Sequence, residues 1–200
     1  MFYSGVKAID LIEQLKEEVD IAIEIPDETY IGWINSTERL LYTEIIQEQR
    51  ATEYVPGNNT VDLIAFDALE IGEDEDAIRF EDIHAVYADE TQLIKSTVAS
   101  GVIFPDTYFK KDNGLGVNLS KKPEKVKVVY FVKPKLKGDK GEETIALPLE
   151  FMDLLKAKLR GEAYKIANEG DTAAMWINDY NVLLAVFSRW ITSKAPEFGL

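Results

Sequence analysis

Cysteine is absent from the 200 residues. That excludes a disulfide framework, thiolate metal sites and a cysteine nucleophile. It fits assembly in a reducing cytoplasm. Histidine occurs once, at His84. It alternates with Ile83 and Val86 along an expected strand and reads as structural rather than catalytic. Phosphate-binding glycine loops, zinc-protease helices and serine-hydrolase elbows are all missing. Gly114-Leu115-Gly116 reads as a hairpin turn rather than a phosphate cradle. The acids around Asp74 and Asp76 lack the glycine and terminal glutamate of a calcium loop and read as a solvated charge run. No nucleophile, base and orienter can be assembled from this inventory, so neither catalysis nor a cofactor or metal is expected. Long apolar runs are also lacking. Met1-Phe2-Tyr3-Ser4-Gly5 leads into none, and neither a signal peptide nor a membrane span is expected.

Positive charge is scarce. Lysine and arginine number 22 against 36 acidic residues, a formal net charge of -14. Broad neutralisation of nucleic-acid phosphates is excluded, although an acidic wall can surround DNA without gripping it. The imbalance is uneven. Residues 1–93 hold 23 acids and 5 bases, residues 94–147 hold 6 and 11, and residues 148–200 hold 7 and 6. An acidic first half therefore meets a lysine-rich middle, and opposed patches of this kind let identical subunits attract head to side.

What is present is enough apolar content, 46%, to build a core. Ile9, Ile12, Leu15 and Val19 recur at helical spacing and predict a helix over Lys7 to Val19, with Ser4 as its cap. Pro26-Asp27 opens a second helix predicted to reach Gln49, with Asp27 and Glu28 suited to its positive end. From Ala51 the period changes to that of strands, strongest over Lys125 to Val132, with an Asn113-Gly114 hairpin signal. Strands are also expected over Leu93 to Ala99 and Val102 to Phe104. Pro148 opens a third helix ended by Gly170, and Asp171 caps a fourth that runs to about Ser193. The expected fold class is α+β. Two N-terminal and two C-terminal helices, 1–50 and 148–195, form a four-helix bundle. A β-rich insertion spans 51–147 and a short tail spans 196–200.

The second and fourth helices carry more apolar surface than one core needs. Trp33 and Leu40 lie seven apart on the second helix, opposite Ile31, Ile34, Leu41 and Ile45. Apolar residues of the fourth span roughly 220° of its wheel, against a stripe of about 100° for a surface helix. Trp176, Leu183 and Trp190 recur every seven residues, as knobs between helices do. These five side chains are expected at a contact between subunits, with Lys133 and Lys135 adding orientation. Asp179 and Glu38 fall within apolar arcs and are expected to pair with Arg39, Arg160, Arg189 or a tyrosine rather than a metal.

The order of elements resembles the head–tail adaptor proteins of tailed bacteriophages. The resemblance rests on Ile25-Pro26-Asp27-Glu28 through Trp33-Ile34-Asn35, on Tyr54-Val55-Pro56, and on Val126 to Lys135. It continues through Leu147-Pro148 and through Gly170-Asp171-Thr172-Ala173-Ala174 with Tyr180. The acidic stretch from Asp67 to Asp82 has no counterpart in it. The resemblance implies a virion protein of the neck, assembled in the host cytoplasm as a homo-oligomeric ring, expected to be a dodecamer. The ring sits below the portal protein, extends a channel that DNA crosses without specific binding, and docks the next neck or tail protein. By position, Thr192, Lys194, Pro196, Phe198 and Leu200 are the segment expected to dock into the portal. Two other classes remain open. One is a small acidic cytosolic module that binds another protein as a dimer and forms no ring with a portal. The other is a metal-dependent hydrolase built on the bundle.

Overall fold

The computed structural model describes residues 2–57, 61–73, 75–96 and 104–198. The chain is α+β, with four α-helices and two four-stranded sheets among the described residues, and divides into two compact units. One unit takes residues 1–47 and 136–200, the other residues 48–135.

The helical unit contains α1 (Ala8–Glu18), α2 (Asp27–Leu41), α3 (Met152–Ile166) and α4 (Gly170–Phe198). Their apolar stripes share one core, in which Leu11, Ile12, Leu15, Ile34, Leu41, Leu155, Leu159 and Phe187 are fully enclosed. Ser4 does not cap α1. Its hydroxyl accepts the Val6 amide at 3.0 Å, and Lys7 occupies the cap position with no side-chain bond capping the helix. α2 stops short of Gln49. A π-helical turn, Tyr42–Ile46, follows it, and Gln47 adopts φ 49°, so the chain leaves the helix there and Gln49 already belongs to a strand. The turn after α3 is likewise made by a left-handed residue, Asn168 at φ 60°, and not by Gly170, which begins α4. α4 then runs past Ser193 to Phe198, so Pro196 and Phe198 are helical rather than part of a tail.

Gly161, at mid-α3, lies where α4 crosses. A methyl group there would meet Ile177 Cγ1 at 3.1 Å and lie 3.7 Å from the Ala173 carbonyl. The glycine therefore sets the approach of the two helices and offsets its cost in helix propensity. Gly161→Val is expected to destabilise the chain by about 1–3 kcal/mol through overpacking. Gly161→Ala, which Ile177 can accommodate by a small shift, should stay close to wild type in the same thermal unfolding measurement.

The β unit holds β1 (Gln49–Tyr54), β2 (Val61–Ala65), β3 (Ile83–Ala88), β4 (Thr91–Gln92), β5 (Ile94–Lys95), β6 (Thr107–Lys111), β7 (Gly114–Asn118) and β8 (Val126–Phe131). One sheet has the order β1-β8-β3-β4, the other β2-β7-β6-β5, antiparallel except for β5 beside β6. β8 is central and alternates buried Val126, Val128 and Tyr130 with half-buried neighbours, as its sequence predicts. β6 and β7 form the expected hairpin, but Asp112 at φ 49° and Asn113 make its turn, since Lys111 pairs with Gly114. Gly116 lies under the Phe109 ring, 2.5 Å from where its own methyl would sit, and so serves packing. Residues 97–103, which include the end of the predicted strand Leu93 to Ala99 and most of Val102 to Phe104, lie outside the described residues.

Residues 136–147, read from sequence as the end of the insertion, belong to the helical unit. Ile145, Ala146 and Leu147 are fully buried in the helical core, and the Ser4 and Val6 backbone bonds Ile145 in both directions. The physical reason is a set of polar anchors on α2. Asn35 donates to the Lys137 carbonyl at 3.1 Å and accepts the Lys137 amide at 2.8 Å.

Candidate functional site

The outer surface of α4 is the feature least explained by the fold of a single copy. Among the described side chains of the helix, Ala173, Tyr180, Phe187 and Ile191 are buried, the last three in the core of the helical unit. Trp176, Leu183 and Trp190 stand beside that line and are half-buried. Trp190 packs on Phe151, ring centroids 5.1 Å apart, and on Phe2 at 5.7 Å. The Arg160 guanidinium covers the Trp176 ring at 4.4 Å and pairs with Glu18, tying α1, α3 and α4 together. The three residues singled out by their seven-residue spacing are thus largely engaged within their own chain.

The uncovered residues are the next line round the helix. Met175, Val182 and Val186 are 51%, 57% and 48% exposed. Val182, Leu183, Trp176 and Asp179 line a groove of about 420 Å³ together with Asp153, Ala157 and Arg160 of α3. Its lining joins four apolar side chains to two carboxylates and one guanidinium. Asp179 is exposed there rather than turned into the core. The sequence pattern predicted an over-wide apolar arc but not which edge of it stays open, because that depends on where α3 lies.

On α2, Leu40 is 50% exposed while Trp33 is half-buried, its ring edge-on to Tyr30 at 5.2 Å. Glu38 lies buried beneath. It pairs with Lys137, also buried, and accepts the Ala146 amide at 2.7 Å. Its partner is therefore a lysine 99 residues away, not one of the arginines considered from sequence. Burial pushes the Glu38 carboxyl above the ordinary carboxylate range, against the opposing pull of Lys137 and the Ala146 amide.

In the β unit, Lys133 is occupied by Asp82, and Lys135 is exposed. The acidic stretch is not simply a solvated run. Glu75 is buried, accepts the Tyr130 hydroxyl at 2.9 Å and pairs with Arg50; Asp82 is buried and accepts the Arg79 amide at 3.0 Å. Glu75 binds the segment onto β1 and β8, and Asp82 binds it to Lys133, just beyond β8. Burial and the Glu75 carboxylate together raise the Tyr130 hydroxyl well above its usual range. His84 is exposed, its ring against Phe131 at 5.2 Å.

At the end of α4, Thr192 is exposed and its hydroxyl donates to the Ser188 carbonyl at 2.9 Å, while Lys194 is half-buried. Pro196 and Phe198 continue the helix, and Leu200 lies outside the described residues. Among the described residues, no group of three histidine, aspartate or glutamate side chains is arranged to hold a metal ion, and no helix is long and apolar enough to cross a membrane.

The chain matches no protein-family model and no curated protein sequence.

Proposed function

We propose that this chain is a structural virion protein, a head–tail adaptor that forms a ring below the portal. In this reading the four helices form one bundle, two from each end of the sequence, and the β unit is its insertion. The observation that carries the proposal is the open apolar line Met175, Val182 and Val186 on a helix whose other side is already buried. Fully burying one such side chain is worth about 1.5–3 kcal/mol, so a contiguous exposed line favours a partner. The order of elements, which resembles the adaptor family, supplies the kind of partner. A closed ring of one chain needs a heterologous contact, in which two different surfaces of each copy meet. The α4 line with its groove is one of them; the Leu40 side of α2 is the other. Lys135 of the β unit, facing acidic helices of the next copy, adds orientation more than affinity. The end of α4, from Thr192 onward, is the segment that meets the portal.

The test is co-expression with the portal protein of the same genome, followed by electron microscopy. Rings seated on the portal are the expected result. The reading fails if no ring forms with that portal, or if the gene does not lie beside portal and capsid genes.

A further inference from the structure

The edge of the first sheet carries a second interaction surface. Among the described residues β1 is the longest edge strand, six residues against five for β2 and two for β4 and β5, and its register with β8 is unbroken. It contains no proline and no bulge, two of the devices that blunt an edge, and its charged residues are Arg50 and Glu53. The direction of its free backbone groups follows from the ladder. The Val132 amide donates to the Glu48 carbonyl, so even-numbered residues of β1 bond to β8. The Asp89 amide donates to the Lys125 carbonyl, placing odd residues of β8 on the β3 side, which agrees. The amides and carbonyls of Gln49, Ala51 and Glu53 therefore point outward, all three residues are exposed, and none of these groups meets a backbone partner among the described residues.

We propose that β1 is a strand-pairing surface whose partner is β1 of a second copy of this chain. An unpaired edge accepts only an extended segment, because the donors and acceptors recur at strand spacing. The side chains select the partner. In an antiparallel self-pairing, outward residues must face outward residues, which leaves registers two residues apart. One sets Arg50 opposite Arg50 of the second copy. Another sets Glu53 opposite Glu53. Like charges placed directly opposite destabilise a pair. A third, centred on Ala51, sets Val55 opposite Gln47, which is left-handed at φ 49°, so the pairing stops short and leaves Val55 uncovered. The remaining register sets Arg50 opposite Tyr54, Thr52 opposite Thr52, Ala51 opposite Glu53 and Gln49 opposite Val55. It has no like-charge pair and places a guanidinium beside a tyrosine ring. It also covers Val55, at 76% the most exposed large apolar residue among those described. The two four-stranded sheets then continue into each other across a two-fold axis at Thr52.

This contact is isologous and does not rest on the ring reading, whose contact is heterologous and uses α4. The chain has no cysteine, which makes the test direct. On the two-fold axis the Thr52 residues form a non-hydrogen-bonded pair with Cα atoms about 4.5 Å apart, within disulfide reach. In full-length protein, Thr52→Cys should oxidise to a covalent dimer. Gln49→Cys, whose copies lie about 20 Å apart in this register, should not. Ala51→Pro removes an outward amide and no bond to β8, and should raise the dimer dissociation constant at least tenfold with the circular dichroism spectrum retained. Light scattering on wild type should give the mass of a dimer, and Val182→Asp should leave it intact. A monomeric wild type, or Gln49→Cys cross-linking as readily as Thr52→Cys, overturns the proposal. So does a folded Ala51→Pro variant that dimerises normally. If Ala51→Pro does not fold, the cross-linking comparison decides alone.

Discussion

Lys137→Met is expected to destabilise the chain by about 3–5 kcal/mol, as removal of one partner of a buried ion pair does. Lys137 and Glu38 are both excluded from solvent, and among the described residues Glu38 has two donors, the ammonium and the Ala146 amide. Without Lys137 the carboxylate keeps its desolvation cost and loses its counter-ion. The double substitution Glu38→Leu with Lys137→Met should recover most of the loss, because apolar side chains of similar volume do not incur that cost. Urea unfolding of the four members of the cycle measures the coupling. A single Lys137→Met change that unfolds at the wild-type midpoint would show that the pair is solvated in practice.

The same pair predicts a pH dependence with a definite sign. Burial holds the Glu38 carboxyl above its ordinary value in the folded chain. A folded pKa above the unfolded one, about 4.3, means the folded state holds the proton more tightly. The contribution is full below the unfolded value and is lost as pH rises through the folded one. Glu38→Gln, which cannot titrate, should flatten that part of the stability profile in a thermal scan across pH.

Neither partner was identifiable from sequence as a pair. Glu38 on an apolar helix face does signal that a buried partner exists, since an unpaired buried charge is costly. Which cation answers it depends on how the chain returns after β8, and Lys137 sits in a stretch whose composition reads as a polar loop. The same limit hid Glu75 and Asp82. Both lie in an acid-rich run that looks solvated, and only the fold brings Arg50, Tyr130 and Lys133 to them. Local signals fared differently. The switch of period near Ala51 and back near Pro148 marks the order of helices and strands, because burial of one face repeats every 3.6 or 2 residues. Exact ends were set by single left-handed residues, Gln47 and Asn168, that no periodicity announces.

The open line of α4 separates stability from assembly. Trp190→Ala removes ring contacts to Phe151 and Phe2 within one copy, and should cost about 2 kcal/mol in unfolding free energy, below the range of a fully enclosed tryptophan. Its effect on ring formation would then be indirect. Val182→Asp changes a side chain 57% exposed in the single copy, so its effect on monomer stability should stay within about 0.5 kcal/mol. If α4 is buried against the Leu40 side of α2 of a neighbour, the same substitution places an unpaired carboxylate in an apolar contact beside Asp179, which lines the same groove. Ring assembly on the portal should fall at least a hundredfold, and Val182→Leu should restore it. Chemical denaturation of each variant, paired with ring counts by electron microscopy, distinguishes the two residues. A Val182→Asp protein that still forms rings at the wild-type level would remove α4 from the contact, because nothing else about this substitution is expected to change.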